Sequence, residues 1–194
     1  MIGNDIIDIQ LTKAKTDWQR PGFLNKIFTT QEQEYIDRAK DPFLSVWTLW
    51  SIKESAYKLN MKYDTRRKFN PIKIECHVSN NQTSLVSIGI RKFFAKTLKT
   101  RDYIYSYALE NLQDNLTHCI KELTTQDKQS HYCNELVANA IANKLSLNYN
   151  EVIIRKSKNG KPEVYNHNIK LNTHVSISHH GKYAAYSILD LEYI

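Results

Sequence analysis

A chain of 194 residues with 41% hydrophobic content can build a core without covalent staples. Its three cysteines, Cys76, Cys119 and Cys133, form no CxxC pair and leave one unpaired, which argues against a disulfide framework and a cysteine zinc site. The formal charge of +7 favours an anionic partner, whether nucleic acid, a nucleotide-like substrate or an acidic protein surface. No run approaches the ~18 apolar residues of a membrane span. Asp5 and Asp8 also stand where a signal peptide needs a basic and then an apolar stretch. A reducing, cytoplasmic setting is therefore expected.

In chain order, residues 2–9 read as a short isoleucine-rich strand followed by a turn or loop over 12–22. Along an extended chain Asp5 and Ile7 share a face, whereas Asp5 and Asp8 do not. The stretch Thr30-Gln31-Glu32-Gln33 has capping-box form and opens a helix to about Lys40. Asp41 as N-cap and Pro42 at the first helical position begin a second helix to about Asn60, with Leu44, Trp47, Ile52, Ala56 and Leu59 on its apolar surface. From 69 to 109 the pattern shortens to the alternating runs Ile72-Lys73-Ile74, Leu85-Val86-Ser87-Ile88 and Tyr103-Ile104-Tyr105-Ser106-Tyr107, an antiparallel sheet. The polar residues 111–127 read as a connection. A helix follows over 128–145, with Leu136, Val137, Ala140, Ile141 and Leu145 inward. Then come a strand at 152–155, the turn Asn159-Gly160-Lys161-Pro162, and a hairpin turning at His180-Gly181 into a strand over 183–189. In the hairpin's first strand Val175 and Ile177 face one way, Ser176 and Ser178 the other.

The segment Trp50-Ser51-Ile52-Lys53-Glu54-Ser55-Ala56-Tyr57-Lys58 lies on the second helix and groups two lysines around one carboxylate. Trp50, Glu54 and Lys58 fall along one edge, with Lys53 beside it, an arrangement suited to a metal-bound diphosphate. The simpler account is a solvated Glu-to-Lys pair worth about 0.2 to 0.5 kcal/mol. Asp5 and Glu54 are hard oxygen donors able to share one Mg²⁺ with water and phosphate oxygens, and a surface carboxylate is the competing account of Asp5. Ser178 and His179, adjacent on a strand, point to opposite faces, and no GxSxG elbow is present, so a serine hydrolase is not expected. His174, His179 and His180 show no metal-ligand spacing, which leaves solvated or packed side chains. The twelve tyrosines read as half-buried sheet residues before stacking platforms for nucleic acid.

Taken together, Gly3-Asn4-Asp5-Ile6-Ile7-Asp8, the Trp50 to Lys58 segment, Gly160-Lys161-Pro162 and Val175-Ser176-Ile177-Ser178-His179 resemble the 4′-phosphopantetheinyl transferase superfamily. The resemblance covers most of the chain apart from about 111–127. It implies an α+β fold of two similar lobes, each a small antiparallel sheet packed on helices. The lobes are expected at 1–112, with the metal-binding aspartate and the Lys-Glu helix, and at 128–194, with the Gly-Lys-Pro turn and the SxSH strand, joined by a connection over 113–127. Phe69-Asn70-Pro71 and the strands after it look like the larger, surfactin-synthetase-activating type, in which the Gly-Lys-Pro half normally comes first. Here it comes last, as in the short holo-acyl-carrier-protein synthases, so the halves are exchanged. A monomer is expected, with a trimer as the alternative.

The resemblance implies transfer of phosphopantetheine from coenzyme A to a serine of an apo acyl or peptidyl carrier protein, with release of adenosine 3′,5′-bisphosphate. It implies that Asp5 and Glu54 hold Mg²⁺ and that Glu54 or a metal-bound water helps remove the serine proton. Lys58 and Lys53 would face the diphosphate and leaving group, and Ser178, His179 and Lys161 the 3′-phosphate. Lys128 stands near the place of an arginine of the larger type. Ile7 replaces that type's second carboxylate, and Asp8 matches the acidic residue of the short type's opening. Carriers of fatty acid, polyketide or peptide synthesis all fit; neither nucleic acid nor a membrane is expected as a partner. The alternatives are a basic nucleic-acid-binding module and a degenerate homologue that binds coenzyme A without turnover.

Overall fold

A glycine at the third residue decides how the first half of the chain packs. In the computed structural model, which describes residues 1–64, 68–79, 83–112, 115–124, 129–157 and 159–189, strand β1 (Ile2–Asp8) lies directly on a long helix, α4 (Pro42–Asn60). A Cβ on Gly3 would fall 2.1 Å from the Ser55 carbonyl oxygen and 2.6 Å from the Leu59 nitrogen, so only glycine permits this approach.

The helix starts as its sequence dictates. Asp41 accepts the Leu44 N–H at 3.0 Å and Pro42 occupies the first turn, where its missing N–H costs nothing. Trp47, Leu49, Ile52, Ala56 and Leu59 are buried against a five-stranded antiparallel sheet. The sheet contains β1, β2 (Ile74–Val78), β3 (Thr83–Ile88), β4 (Arg91–Lys99) and β5 (Tyr103–Leu109), in the order β1-β5-β4-β3-β2. Three shorter helices, α1 (Ile9–Lys15), α2 (Phe23–Ile27) and α3 (Thr30–Asp37), complete this lobe; α1 runs into the stretch over 12–22 expected as turn or loop, and α2 begins just after it. The capping box of α3 is closed by Thr29 and Glu32, so the cap lies one residue before the expected Thr30.

Strand β6 (Leu116–Glu122) corrects the expected connection over 113–127: it joins the second half as the outer strand of a sheet ordered β10-β11-β6. Its polar composition hid it, because its side chains are exposed or only half-buried and the pairing comes from the backbone of β11. Here β10 is His174–His180 and β11 is Tyr183–Leu189, paired as the hairpin pattern predicts. Helix α5 (Gln129–Leu145) covers this lobe, burying Val137 and Ile141 with Val164, Val175 and Ile188. A small sheet of β7 (Val152–Lys156), β8 (Pro162–Asn166) and β9 (Ile169–Lys170) lies alongside.

The molecule is therefore α+β, with two lobes of helix on antiparallel sheet. At their seam β1 packs beside β10 and β11. Ile6, Tyr105, Tyr183 and Ala185 form one apolar cluster across it, and Ile2, Leu109 and Leu189 a second. No described helix is long and apolar enough to cross a membrane.

Candidate active site at the lobe seam

The close approach at Gly3 brings Asp5 of β1 to the edge of α4 that carries Glu54 and Lys58. The Lys58 ammonium donates to the Asn4 carbonyl at 2.8 Å and to Asp5 Oδ1 at 3.2 Å. The Glu54 carboxyl is half-buried, and its pKa rises from 4.5 to about 7. Burial is the main cause and the Asp5 charge the second, with Lys58 pulling the other way. Two carboxylates that feel each other's charge, with one ammonium acting on both, form a site that gains from a further cation.

The donor set fits Mg²⁺, which prefers hard oxygens and keeps several waters and phosphate oxygens among its ligands. Among the described residues no group of three or more His, Cys, Asp or Glu gathers as a ligand set. Asp5 and Glu54 are the carboxylates of this site that could hold it. Asp8 is committed elsewhere: it caps α1 through the Leu11 N–H at 3.0 Å and accepts the Lys182 N–H at 3.1 Å.

Lys53 requires a correction. Expected beside Lys58 in the diphosphate site, it is fully buried on another side of the helix. Its ammonium pairs with Glu32 at 2.7 Å and donates to the carbonyls of Pro71, at 2.8 Å, and Ile74. Three acceptors use its three donors, leaving none for a phosphate. Glu32 in turn accepts the N–H groups of Thr29 and Cys76, both at 2.8 Å. Lys53 therefore ties α3, α4 and β2 together from inside.

The second lobe supplies the facing wall. On β10 Ser178 is buried and His179 exposed, which confirms that the two point to opposite faces. The Ser178 hydroxyl has no hydrogen-bond partner among the described residues. Burial lowers the His179 pKa, and the charges of Lys58, Lys156 and His180 lower it further, which places His179 in the same field as Lys58. Lys161 follows Gly160, whose φ of 71° only glycine adopts freely, and its backbone is tied at both ends to Ser157.

Two members of this positive field were not expected in it: Lys62 is not singled out by the sequence, and His174 reads there as a solvated or packed side chain. Lys62 lies one turn beyond Lys58. Burial pushes its pKa down to about 8, helped by the charges of Lys161 and Lys170 and opposed by Glu110 and Glu163. His174 is pushed down to about 4 by burial, then by Lys62 and the N-terminal ammonium. The i, i+4 continuation Glu54-Lys58-Lys62 was the available signal for the lysine; His174 had none. Lys128 lies outside the described residues.

Fold and site together define a two-lobed α+β protein whose seam sets the Asp5 and Glu54 carboxylates near the Lys58 ammonium. The chain belongs to the 4′-phosphopantetheinyl transferase superfamily, whose family model matches residues 1–114. A second model, described as 4′-phosphopantetheinyl transferase, N-terminal, matches residues 99–188. A holo-(acyl-carrier-protein) synthase from Caldanaerobacter subterraneus subsp. tengcongensis is 34% identical over 58 residues, 30% of this chain and 45% of that protein. The chain thus spans less than half the length of the curated relative it matches. The crystal structure of Helicobacter pylori holo-(acyl-carrier-protein) synthase in complex with coenzyme A aligns with a TM-score of 0.44 at 13% identity, covering 56% of this chain and 98% of that one.

Proposed function

We propose that this protein transfers the 4′-phosphopantetheine arm of coenzyme A to a serine hydroxyl of an apo acyl or peptidyl carrier protein in the cytoplasm, and that Mg²⁺ is required. The observation that carries the reading is the Asp5, Glu54 and Lys58 cluster at the seam, with His179 of the second lobe in the field of Lys58. Mg²⁺ held by Asp5 and Glu54 would neutralise the diphosphate and orient it. In the reaction the serine oxygen forms a bond to the pantetheine-side phosphorus. The bond from that phosphorus to the bridging oxygen breaks, and adenosine 3′,5′-bisphosphate leaves with the electron pair.

Glu54 would help remove the serine proton; its pKa of about 7 is that of the metal-free carboxyl, and a bound cation would lower it. Lys58 would offset the charge growing on the leaving phosphate, the electrostatic work that dominates phosphoryl transfer. Ser178, His179 and Lys161 would bind the 3′-phosphate by hydrogen bonds that charge strengthens. Both walls come from one chain, which favours a monomer over a trimer with shared sites. The basic surface suits an acidic carrier protein.

The test is the intact mass of an apo acyl carrier protein after incubation with this protein, coenzyme A and Mg²⁺. A gain of about 340 Da that a chelator abolishes is expected, since the transfer depends on the metal. No gain with several carriers would reject transfer. No coenzyme A binding either would bring the nucleic-acid reading forward.

A further inference from the structure

Two edge strands meet at the seam: β1 ends the five-stranded sheet and β10 ends the second sheet. An edge strand presents backbone groups that need partners. Here β10 answers them with side chains. Ser176 Oγ accepts the Asn4 N–H, and His180 Nδ1 accepts the Asp8 N–H, each at 2.9 Å. Both ties span four residues on each strand, so Ser178 occupies the rung between them, opposite Ile6. Its buried hydroxyl is the one of the three that has no partner among the described residues.

The assembly closes at Asp8. Its Oδ1 accepts the Leu11 N–H and its Oδ2 the Lys182 N–H of the turn after β10. Gly181 in that turn has φ of +58°, and a Cβ there would fall 2.2 Å from Asp8 Oδ2, so the turn can wrap the carboxylate only with glycine. Gln129 of α5 holds the same turn by donating to the Gly181 carbonyl.

We propose that Asp8 and His180 form a clamp that fixes the register of β10 against β1 and so sets the distance between Ser178 and the Asp5–Glu54 pair. Asp8 is then a positioning residue, not a metal ligand. This rests on the reading of the seam as a coenzyme A site. Coenzyme A carries its diphosphate and its 3′-phosphate on one nucleotide, and the two lobes would each hold one of them. A slip of one residue along a strand displaces a side chain by about 3.3 Å. Coenzyme A therefore needs the clamp, whereas 3′-dephospho-coenzyme A, lacking the group that reaches the second lobe, does not.

Calorimetric titration with both compounds in Mg²⁺ tests this on the full chain and on His180→Ala and Asp8→Ala. The unaltered protein should prefer coenzyme A. Both variants should lose about tenfold in affinity for coenzyme A while affinity for the dephospho form stays within about twofold, as expected when joint engagement of two linked groups is lost. His180→Ala keeps the Asp8 cap of α1, so it decides the matter should Asp8→Ala not fold. Undiminished preference in a folded variant overturns the clamp, as does parallel weakening of both ligands. A weaker Mg²⁺ affinity in Asp8→Ala alone would make Asp8 a ligand and overturn it too. An unaltered protein that binds neither compound sinks the coenzyme A reading itself, a result distinct from loss of the clamp alone.

Discussion

The two lobes are wound alike and equipped differently. In each, the first strand pairs with the last and the last with the one before it: β1-β5-β4 beside α4, and β6-β11-β10 beside α5. Each helix also carries a titratable pair at i, i+4. On α4 it is Glu54 and Lys58, half-buried at the seam, where burial and Asp5 raise the Glu54 pKa. On α5 it is His131 and Glu135, 3.3 Å apart and largely exposed. The first strands differ in the same sense. Where β1 brings Asp5, β6 brings His118, stacked on Tyr105 at 5.4 Å between ring centroids. Spacing is shared and chemistry is not, because the value of a charge pair depends on the dielectric and the neighbours around it.

The contrast is sharpest between two lysines of one helix. Lys53→Met should cost about 3 to 5 kcal/mol of stability in urea unfolding, because it leaves the Glu32 carboxylate and two carbonyls buried without their cation. Lys58→Met should cost less than about 1 kcal/mol, as its ammonium is partly solvated, yet it should lose most transfer activity. If Lys58→Met unfolds the protein and Lys53→Met does not, their assigned roles are reversed.

Next in size is Glu54→Gln, expected to slow transfer by roughly 10² to 10³-fold, about 3 to 4 kcal/mol. Without metal it should also change the pH dependence of stability. The folded pKa of Glu54 is raised to about 7, so its favourable contribution is complete below about 4.5 and is lost as pH rises through 7. The glutamine variant should therefore melt above the unaltered protein at pH 8 and lose that advantage near pH 4. Equal melting points at both pH values would mean that Glu54 is better solvated than its surroundings imply.

Gly3→Ala should cost about 1 to 3 kcal/mol, since the added methyl must push β1 off α4. Transfer should fall with it, measured at a temperature where the variant remains folded. Smallest is Ser178→Ala, for which about a tenfold rise in KM for coenzyme A is expected with little change in kcat, the loss of one hydrogen bond to a charged group. A fall in kcat alone would move Ser178 from binding into the chemistry.

Much of the frame was legible in the residues. Asp41 and Pro42 mark the start of α4, and the alternation of Val175, Ser176, Ile177 and Ser178 predicts both the strand and its two faces. Strand β4 escaped notice because Lys92, Lys96 and Lys99 interrupt the run of apolar residues, although Phe93, Ala95 and Thr97 alternate inward. Lys53 was misread for a different reason. It follows Ile52 and precedes Glu54, and consecutive helical residues diverge by about 100°. Its destination depended on Glu32, twenty-one positions away.

The sequence by itself determined most of the element types and set Glu54 and Lys58 on one helix edge, because periodicity and caps are local properties of the chain, while the resemblance of its motifs to a family joined Asp5 to them. Only the tertiary structure decided which charges face the seam and which are enclosed, that β6 belongs to the second sheet, and that Asp8 binds the β10 turn. Those outcomes depend on contacts between segments far apart in the chain: Lys53 with Glu32, Asp8 with Lys182, Gly3 against Ser55. A charge is buried or exposed according to the partner that folding delivers to it.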